Sequence, residues 1–264
     1  MPADFLNTII QRKQAEIDAA RKKVSEDRLR RKAAGLRRQR PFKKRLETPG
    51  TGGINIIAEI KRASPSKGVI RADLDPRIYA RAYEKGGAAA LSVLTDGAGF
   101  HGDVEDLKIA RKSAALPVLR KDFLISAYQL FESRVLGADA VLLIARILDF
   151  VQLKDYLALC RELQMDALVE VHSEKEIEIA LRAGAGLVGI NNRNLRSFET
   201  DVKTAANLVK LLGPDQIAVA ESGINTPQDV QALKQAGIWN FLIGESLVRA
   251  KDPVAFLKQL QEEP

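Results

Sequence analysis

With 264 residues, 46% apolar and 28% charged, the chain is long enough for one large globular domain of the size that α/β barrels use. No apolar run approaches the roughly 20 residues of a bilayer span, the N-terminus has no signal-peptide pattern, and a lone cysteine, Cys160, excludes an internal disulfide, so we expect a soluble cytoplasmic protein without membrane association. The formal net charge of +7 belongs to residues 1–48, where 15 Lys and Arg outnumber 6 Asp and Glu, whereas residues 49–264 are slightly acidic.

Residues 1–48 are predicted to form a helical extension packed on a barrel domain of residues 49–264, the whole chain making a single domain. Apolar residues recur at helical spacing from Phe5 to Val24, so the first helix should dock on the barrel near its mouth, with residues close to Phe5 bordering the functional site. A second short helix is expected between Ser25 and Ala34, ended by Gly35.

The basic charge of the extension leaves two interpretations open. It is either a solvated helix face or an arm that binds nucleic acid. Because no aromatic residues are interleaved with the basic ones for base stacking, the first interpretation is favoured and no nucleic-acid partner is expected.

From Ile54 onward, short apolar and β-branched runs alternate with amphipathic stretches of about ten to fifteen residues. The predicted strands are Ile54–Ile60, Ala88–Leu94, Pro117–Leu119, Ala140–Ile144, Ala167–Val171, Leu187–Ile190, Ile217–Ala220 and Phe241–Ile243. Asp75-Pro76 and Thr226-Pro227 indicate helix starts between strands, and Ser173 with Glu176 forms a possible capping box. Eight apolar strands separated by helices predict an α/β fold, a closed (β/α)8 or TIM barrel.

Polar residues follow several of these strands where a barrel of this kind has its active site. Glu59 and Lys61 lie two residues apart and so on the same side of the sheet, Lys121 follows the third strand, and Glu170 and Asn191 end the fifth and sixth. Any one of them alone would be interpreted as a solvated strand end. Two Lys and two Glu around one ring of apolar strands instead favour perturbed pKa values and acid–base catalysis.

The last two strands end in glycine-containing segments, Glu221-Ser222-Gly223 and Gly244-Glu245-Ser246. Glycines there permit tight turns, and they also let backbone N–H groups approach an anion. Together with eight strands in order, they predict a phosphate site.

Six segments in chain order resemble the indole-3-glycerol phosphate synthase family. They are Ala58-Glu-Ile-Lys-Arg-Ala-Ser-Pro-Ser-Lys-Gly68, Leu91-Ser-Val-Leu-Thr-Asp96, Leu119-Arg-Lys-Asp-Phe123, Gly189-Ile-Asn-Asn-Arg-Asn-Leu195, Ala220-Glu-Ser-Gly-Ile224 and Leu242-Ile-Gly-Glu-Ser-Leu247. The resemblance implies a carboxy-lyase of tryptophan biosynthesis. It would close the ring of 1-(2-carboxyphenylamino)-1-deoxyribulose 5-phosphate with loss of carbon dioxide and water, without a metal or organic cofactor.

The resemblance also implies residue roles. Lys121 would be the general acid toward the ketone, Glu170 and Lys61 would transfer protons, Glu59 and Asn191 would orient them, and Ser222 would contact substrate. The implied phosphate site comprises Ser64, Lys61, Arg193, Gly223, Gly244 and the backbone around Glu245. The implied slot for the anthranilate ring comprises Phe100, Phe123, Leu142, Ile144 and Leu195.

One loop departs from the family pattern, because Asp103 stands where a small or hydroxyl residue is expected. Nearby His101 is interpreted as an exposed loop residue, His172 as part of a helix cap, and Trp239 and Cys160 as core residues.

Two alternatives stay open. Another phosphate-binding barrel enzyme, such as an isomerase, should lack the Glu59 and Lys61 pair followed by Ser-Pro-Ser. A catalytically inactive barrel with a nucleic-acid-binding arm should bind polynucleotides with a steep salt dependence. The expected partner is a small phosphorylated substrate, and the expected assembly is a monomer or a weak homo-oligomer.

Overall fold

Eight parallel strands close into a barrel in the computed structural model, which describes residues 2–36, 39–194 and 199–262, with side chains from residue 6 onward. The strands are β1 (Asn55–Ile60), β2 (Ala90–Leu94), β3 (Val118–Lys121), β4 (Ala140–Ile144), β5 (Asp166–Val171), β6 (Leu187–Asn191), β7 (Ile217–Glu221) and β8 (Asn240–Ile243). Closure is direct, since β1 pairs in parallel with both β2 and β8. The prediction of a (β/α)8 barrel is confirmed.

Helices precede and separate these strands. They are α1 (Pro2–Lys23), α2 (Glu26–Ala34), α3 (Pro76–Lys85), α4 (Gly97–Phe100), α5 (Val104–Ser113), α6 (Ala127–Leu136), α7 (Phe150–Glu162), α8 (Glu174–Ala183), α9 (Lys203–Leu208), α10 (Pro227–Gln235), α11 (Glu245–Arg249) and α12 (Pro253–Gln261). No helix of the described part is both long and apolar enough to cross a membrane.

The predicted helix starts are confirmed with one correction. Asp75 and Thr226 cap α3 and α10 ahead of a proline, as expected. Ser173 caps α8 through the backbone N–H of Glu176, but the Glu176 carboxylate accepts from the backbone N–H of His172 instead. The predicted capping box is therefore only half formed, and His172 takes part in the start of the helix as expected.

The barrel has two apolar layers because successive strand residues point to opposite faces of the sheet. In β1, Ile56 and Ala58 face the surrounding helices, whereas Ile57 faces the lumen beside Leu119 and Leu242. Cys160 belongs to the outer layer and is buried as predicted. Trp239 is only partly buried, so its assignment to the core was wrong; its indole N–H donates to the carbonyl of Leu46.

Apolar side chains of the N-terminal segment pack on both the outside and the floor of the barrel. Ile17 of α1 and Leu29 of α2 pack against Tyr128 and Phe131 of α6. Further along, the chain passes under the barrel, and Phe42 joins the lumen cluster with no exposed surface. This closure of the barrel floor was not predicted from the sequence.

Candidate active site

A cavity of about 480 Å³ opens at the carboxyl ends of the strands. The predicted site residues that line it are Glu59, Lys61, Phe100, Lys121, Phe123, Leu142, Ile144, Glu170, Asn191, Arg193, Ser222, Gly223, Gly244 and Glu245. Ser64 does not line it: the residue is buried, and its hydroxyl has no hydrogen-bond partner among the described residues. Leu195 lies outside the described residues.

Strand parity explains why these polar groups converge. Ile57, Leu119 and Leu168 face the lumen, and two residues later on each strand stand Glu59, Lys121 and Glu170. The functional groups thus form the layer directly above the apolar lumen core. Burial of their side chains follows from this position.

Lys121 is held between two carboxylates. Its Nζ lies 2.9 Å from Oε2 of Glu170 and 2.8 Å from Oε2 of Glu221. Burial disfavours the ammonium charge, but the two carboxylates outweigh burial and raise the pKa of Lys121 above its usual value. The lysine is therefore a protonated acid across the neutral pH range.

Glu221 is a site residue that the sequence reasoning left without a role. It is 1% exposed, and its Oε1 has no hydrogen-bond partner among the described residues. Burial, together with the nearby charge of Glu170, outweighs Lys121 and raises the pKa of Glu221 to about 7. The alternation of side chains along β7 could have indicated this position. Glu221 lies two residues after Val219, which faces the lumen, so both side chains point to the same side of the strand.

Glu170 has the opposite electrostatic character. Burial raises its pKa, but the charges of Lys121 and His172 and hydrogen bonds from Lys121 and Asn191 outweigh burial and lower it to about 2. His172 lies against the same carboxylate, with Nε2 3.4 Å from Oε1 of Glu170 and Nδ1 3.2 Å from Oε2 of Glu176. Lys121 thus lies between two different groups: the ionised carboxylate of Glu170 and the carboxyl group of Glu221, which still holds a proton near neutral pH.

Glu59 and Lys61 form a second ion pair, with Oε1 and Nζ 2.7 Å apart. A Cβ at Gly244 would approach the same Glu59 oxygen to 2.3 Å and the Lys61 Nζ to 3.0 Å. A side chain at position 244 would therefore push the ends of Glu59 and Lys61 out of their paired arrangement. The Glu59–Lys61 ion pair thus packs closely against Gly244, at the start of the loop that follows β8.

One side of the cavity is suited to an anion. Ser222 and Gly223 both have positive φ, 66° and 76°, which turns the chain sharply after β7. Arg193 follows β6, the neighbour of β7 in the barrel, and donates to Oγ of Ser66 at 2.8 Å. An arginine and glycine-containing turns at one edge are the groups that bind phosphate oxygens.

The other side is apolar. The rings of Phe100 and Phe123 lie 6.2 Å apart between centroids, and Leu142 and Ile144 continue the surface from β4. Leu6 of α1 completes it, as expected for residues close to Phe5, whose side chain lies outside the described residues. A planar aromatic group fits this slot.

The two residues noted in the loop that departs from the family pattern have local roles at helix ends. Asp103 caps α5 by accepting from the backbone N–H of Glu105, which is a role that a serine or threonine also fills. His101 is exposed, as predicted, and ends α4 in a left-handed conformation. Neither residue lines the cavity. Among the described residues, no group of three or more His, Cys, Asp or Glu is arranged to hold a metal ion.

Comparison with known proteins gives a consistent result. The family model described as indole-3-glycerol phosphate synthase matches residues 6–260. The protein of that name from Desulfosudis oleivorans is 55% identical over 98% of both chains, and that from Syntrophobacter fumaroxidans is 51% identical over 98% of this chain and 97% of its own. Among solved structures, thiamine phosphate pyrophosphorylase from Pyrococcus furiosus covers 83% of this chain, and this chain covers 96% of it, with a TM-score of 0.60 at 15% identity. This structural likeness concerns the fold alone.

Proposed function

The chain belongs to the indole-3-glycerol phosphate synthase family, and on that premise we propose how its barrel-mouth cavity carries out the family reaction. In that reaction, the ring of 1-(2-carboxyphenylamino)-1-deoxyribulose 5-phosphate closes with loss of carbon dioxide and water. The aryl ring would lie against Phe100 and Phe123, and the phosphate would lie between Arg193 and the turn at Gly223. The reacting carbons would then be placed over Lys121.

Lys121 acts first. As the aromatic ring carbon attacks the ketone carbon, negative charge develops on the ketone oxygen, and the buried ammonium donates its proton there. Its raised pKa keeps the lysine charged before substrate binds. Decarboxylation then restores electrons to the ring, and the apolar wall favours loss of charge from the carboxylate.

The later steps need a second acid and a base. Departure of the hydroxyl group takes a proton, for which Lys61 is the candidate. Formation of the carbon–carbon double bond of the new five-membered ring releases a proton from that ring, for which Glu170 is the candidate acceptor. Glu59 and Asn191 orient these two groups, and Ser222 contacts the substrate. The side chain of Glu221 lies 2.8 Å from Nζ of Lys121, and its protonated carboxyl form returns the proton that the lysine gives up. Lys61, Gly244 and the backbone around Glu245 complete the phosphate side.

The observation that most strongly supports this proposed function is the position of Lys121. It lies between Glu170 and Glu221, at the base of a cavity with one aromatic edge and one arginine-bearing edge. The test is to incubate the protein with the carboxyphenylamino-deoxyribulose phosphate and record indole fluorescence. We expect product formation by the wild type and its loss in Lys121→Met, which keeps the side-chain length without the proton. If wild type forms no product while a known family member does under the same conditions, the proposal is wrong.

We further propose a cytoplasmic enzyme that works as a monomer or weak homo-oligomer, as one domain with its extension, and without a nucleic-acid partner. The pairing of Arg12 and Lys13 of α1 with the barrel carboxylate of Asp96 supports the last point, because it uses two of the basic side chains to hold the helix on the barrel. Salt-titrated binding to duplex and single strands tests the last point, since tight, steeply salt-dependent binding would contradict it.

A further inference from the structure

Lys13 is an unusual residue of α1. Most polar residues of this helix are exposed, whereas Lys13 is only 2% exposed. Its Nζ lies 2.8 Å from Oδ1 of Asp96 and 2.8 Å from Oδ1 of Asp122. Burial lowers the pKa of this lysine, but the two carboxylates outweigh burial and raise it. The helix thus inserts one charge between two buried carboxylates of the barrel.

Each of these carboxylates holds one ring of the aryl slot. Asp96 follows β2 and caps α4 through the backbone N–H of Gly99, and α4 ends at Phe100. Asp122 follows Lys121, and its Oδ1 accepts from the backbone N–H of Phe123 at 2.8 Å. Lys13 is therefore bonded to both groups that set the backbone positions of the two rings.

The rest of the cluster is fixed from the barrel side. Oδ2 of Asp122 accepts from Thr95 at 2.6 Å and from Arg120 at 3.1 Å. Burial raises the pKa of Asp122, but Arg120 and Lys13 outweigh burial and lower it to about 2, so the carboxylate is charged. Without Lys13, each of the carboxylates of Asp96 and Asp122 would lose one positively charged partner. The repulsion between their two negative charges would then increase.

We propose that Lys13 is a positioning residue for the aryl slot. It does not line the cavity; it fixes Phe100 against Phe123 through Asp96 and Asp122, and it holds α1 so that Leu6 closes the same slot. This inference deepens the proposed function and rests on it. The expected loss is selective for the aryl slot, because among the described residues no hydrogen bond or ion pair joins Arg193 or Gly223 to Lys13, Asp96 or Asp122.

Lys13→Met tests the proposal, with two inhibitors that share a phosphate but differ in the aromatic part. Indole-3-glycerol phosphate carries the ring, and glycerol 3-phosphate lacks it. We expect the inhibition constant of the first, and KM, to rise about tenfold, the effect of losing roughly 1.4 kcal/mol of ring contact. The constant for glycerol 3-phosphate should change less than about twofold, and kcat should fall only a few-fold.

Two further variants sharpen the comparison. Lys22→Met removes an exposed lysine from the same helix and should leave both inhibition constants unchanged. Adding Asp96→Asn to Lys13→Met removes one of the two opposed charges while asparagine still caps α4, so affinity for the aromatic inhibitor should largely return. If Lys13→Met is insoluble, Lys13→Arg keeps the charge in a wider head group, and the same aryl-selective loss is expected of it.

The outcomes separate the two proposals. If wild type binds indole-3-glycerol phosphate no better than glycerol 3-phosphate, the proposed function fails. If wild type prefers the aromatic inhibitor and the ratio of the two constants is unchanged in the soluble Lys13 variant, only the positioning role is overturned. A lower melting temperature with an unchanged ratio of the two inhibition constants would also overturn the positioning role, because Lys13 would then contribute to stability alone.

Discussion

At the scale of single residues, the proposed function assigns some groups of the site to the reaction and others to holding the substrate. Nζ of Lys121 lies 2.9 Å from the carboxylate of Glu170 and 2.8 Å from that of Glu221, at the base of the cavity. Arg193 lies at the opening and bonds Ser66. This separation gives the two side chains different expected kinetic effects.

Lys121→Ala should lower kcat by about 10²–10⁴, the usual effect of removing a general acid, while glycerol 3-phosphate still binds within a few-fold of wild type. Arg193→Ala should weaken that ligand by about tenfold to a hundredfold, since hydrogen bonds to charged groups contribute roughly 1.5–3 kcal/mol, and should keep much of kcat at saturation. Single-turnover kinetics is the appropriate measurement because slow product release can hide a chemical defect. Normal turnover in Lys121→Ala would transfer the role of acid to Lys61.

At the scale of elements, the N-terminal helices are more than a basic appendage. They bury Ile17 and Leu29 against α6, and they place Leu6 in the cavity wall. The same segment supplies the charge that Asp96 and Asp122 share. Stability and substrate affinity are therefore both expected to depend on it.

Deleting residues 1–36, which keeps Phe42 in the barrel floor, should lower the melting temperature by about 10 °C. The estimate uses the lower end of each range: the three buried aliphatic side chains Ile9, Ile17 and Leu29 contribute at least about 1.5 kcal/mol each, and 1 kcal/mol corresponds to at least roughly 2 °C in a chain of this size. KM should rise as well, because one wall of the aryl slot is removed. Calorimetry and steady-state kinetics measure the two effects, and a truncated protein with unchanged values of both would show that the segment is an accessory tail.

At the scale of the whole molecule, the buried carboxylates make stability depend on pH in opposite directions. The pKa of Glu221 is raised in the folded state to about 7 from an ordinary value of 4.5. Between these values the folded protein holds a proton that the unfolded chain has released, so stability falls as pH rises through that window. Glu170, whose folded pKa is about 2, contributes stability above pH 4.5 that is lost as pH falls.

Glu221→Gln should therefore gain stability relative to wild type as pH rises from about 4.5 to about 7, by up to about 3 kcal/mol at 1.36 kcal/mol per pKa unit. Urea unfolding at several pH values measures this difference. Glu170→Gln is the matched control: its difference from wild type should change below pH 4.5 instead. A Glu221→Gln difference that is constant from pH 4.5 to 7 would contradict the assigned pKa.

The sequence by itself determined the barrel and most of the residues that line the candidate active site. Apolar runs, glycine stops and caps such as Asp75-Pro76 are local signals, and eight repeats in order leave little choice of fold. Because the carboxyl ends of parallel strands share one edge, the residues that follow them were predictable as neighbours. The family motifs then identified Lys121 and Glu170 individually.

Only the tertiary structure decided the rest, because it depends on contacts between segments far apart in the chain. Strand ends such as Lys121 and Glu221 are polar, so hydropathy ended the predicted strands too early, although pairing in the closed sheet extends them. Phe42 in the barrel floor and Lys13 between Asp96 and Asp122 have no local signature. Their burial comes from the position in which the N-terminal segment packs on the barrel, and a buried ion pair becomes visible only when both partners are in place.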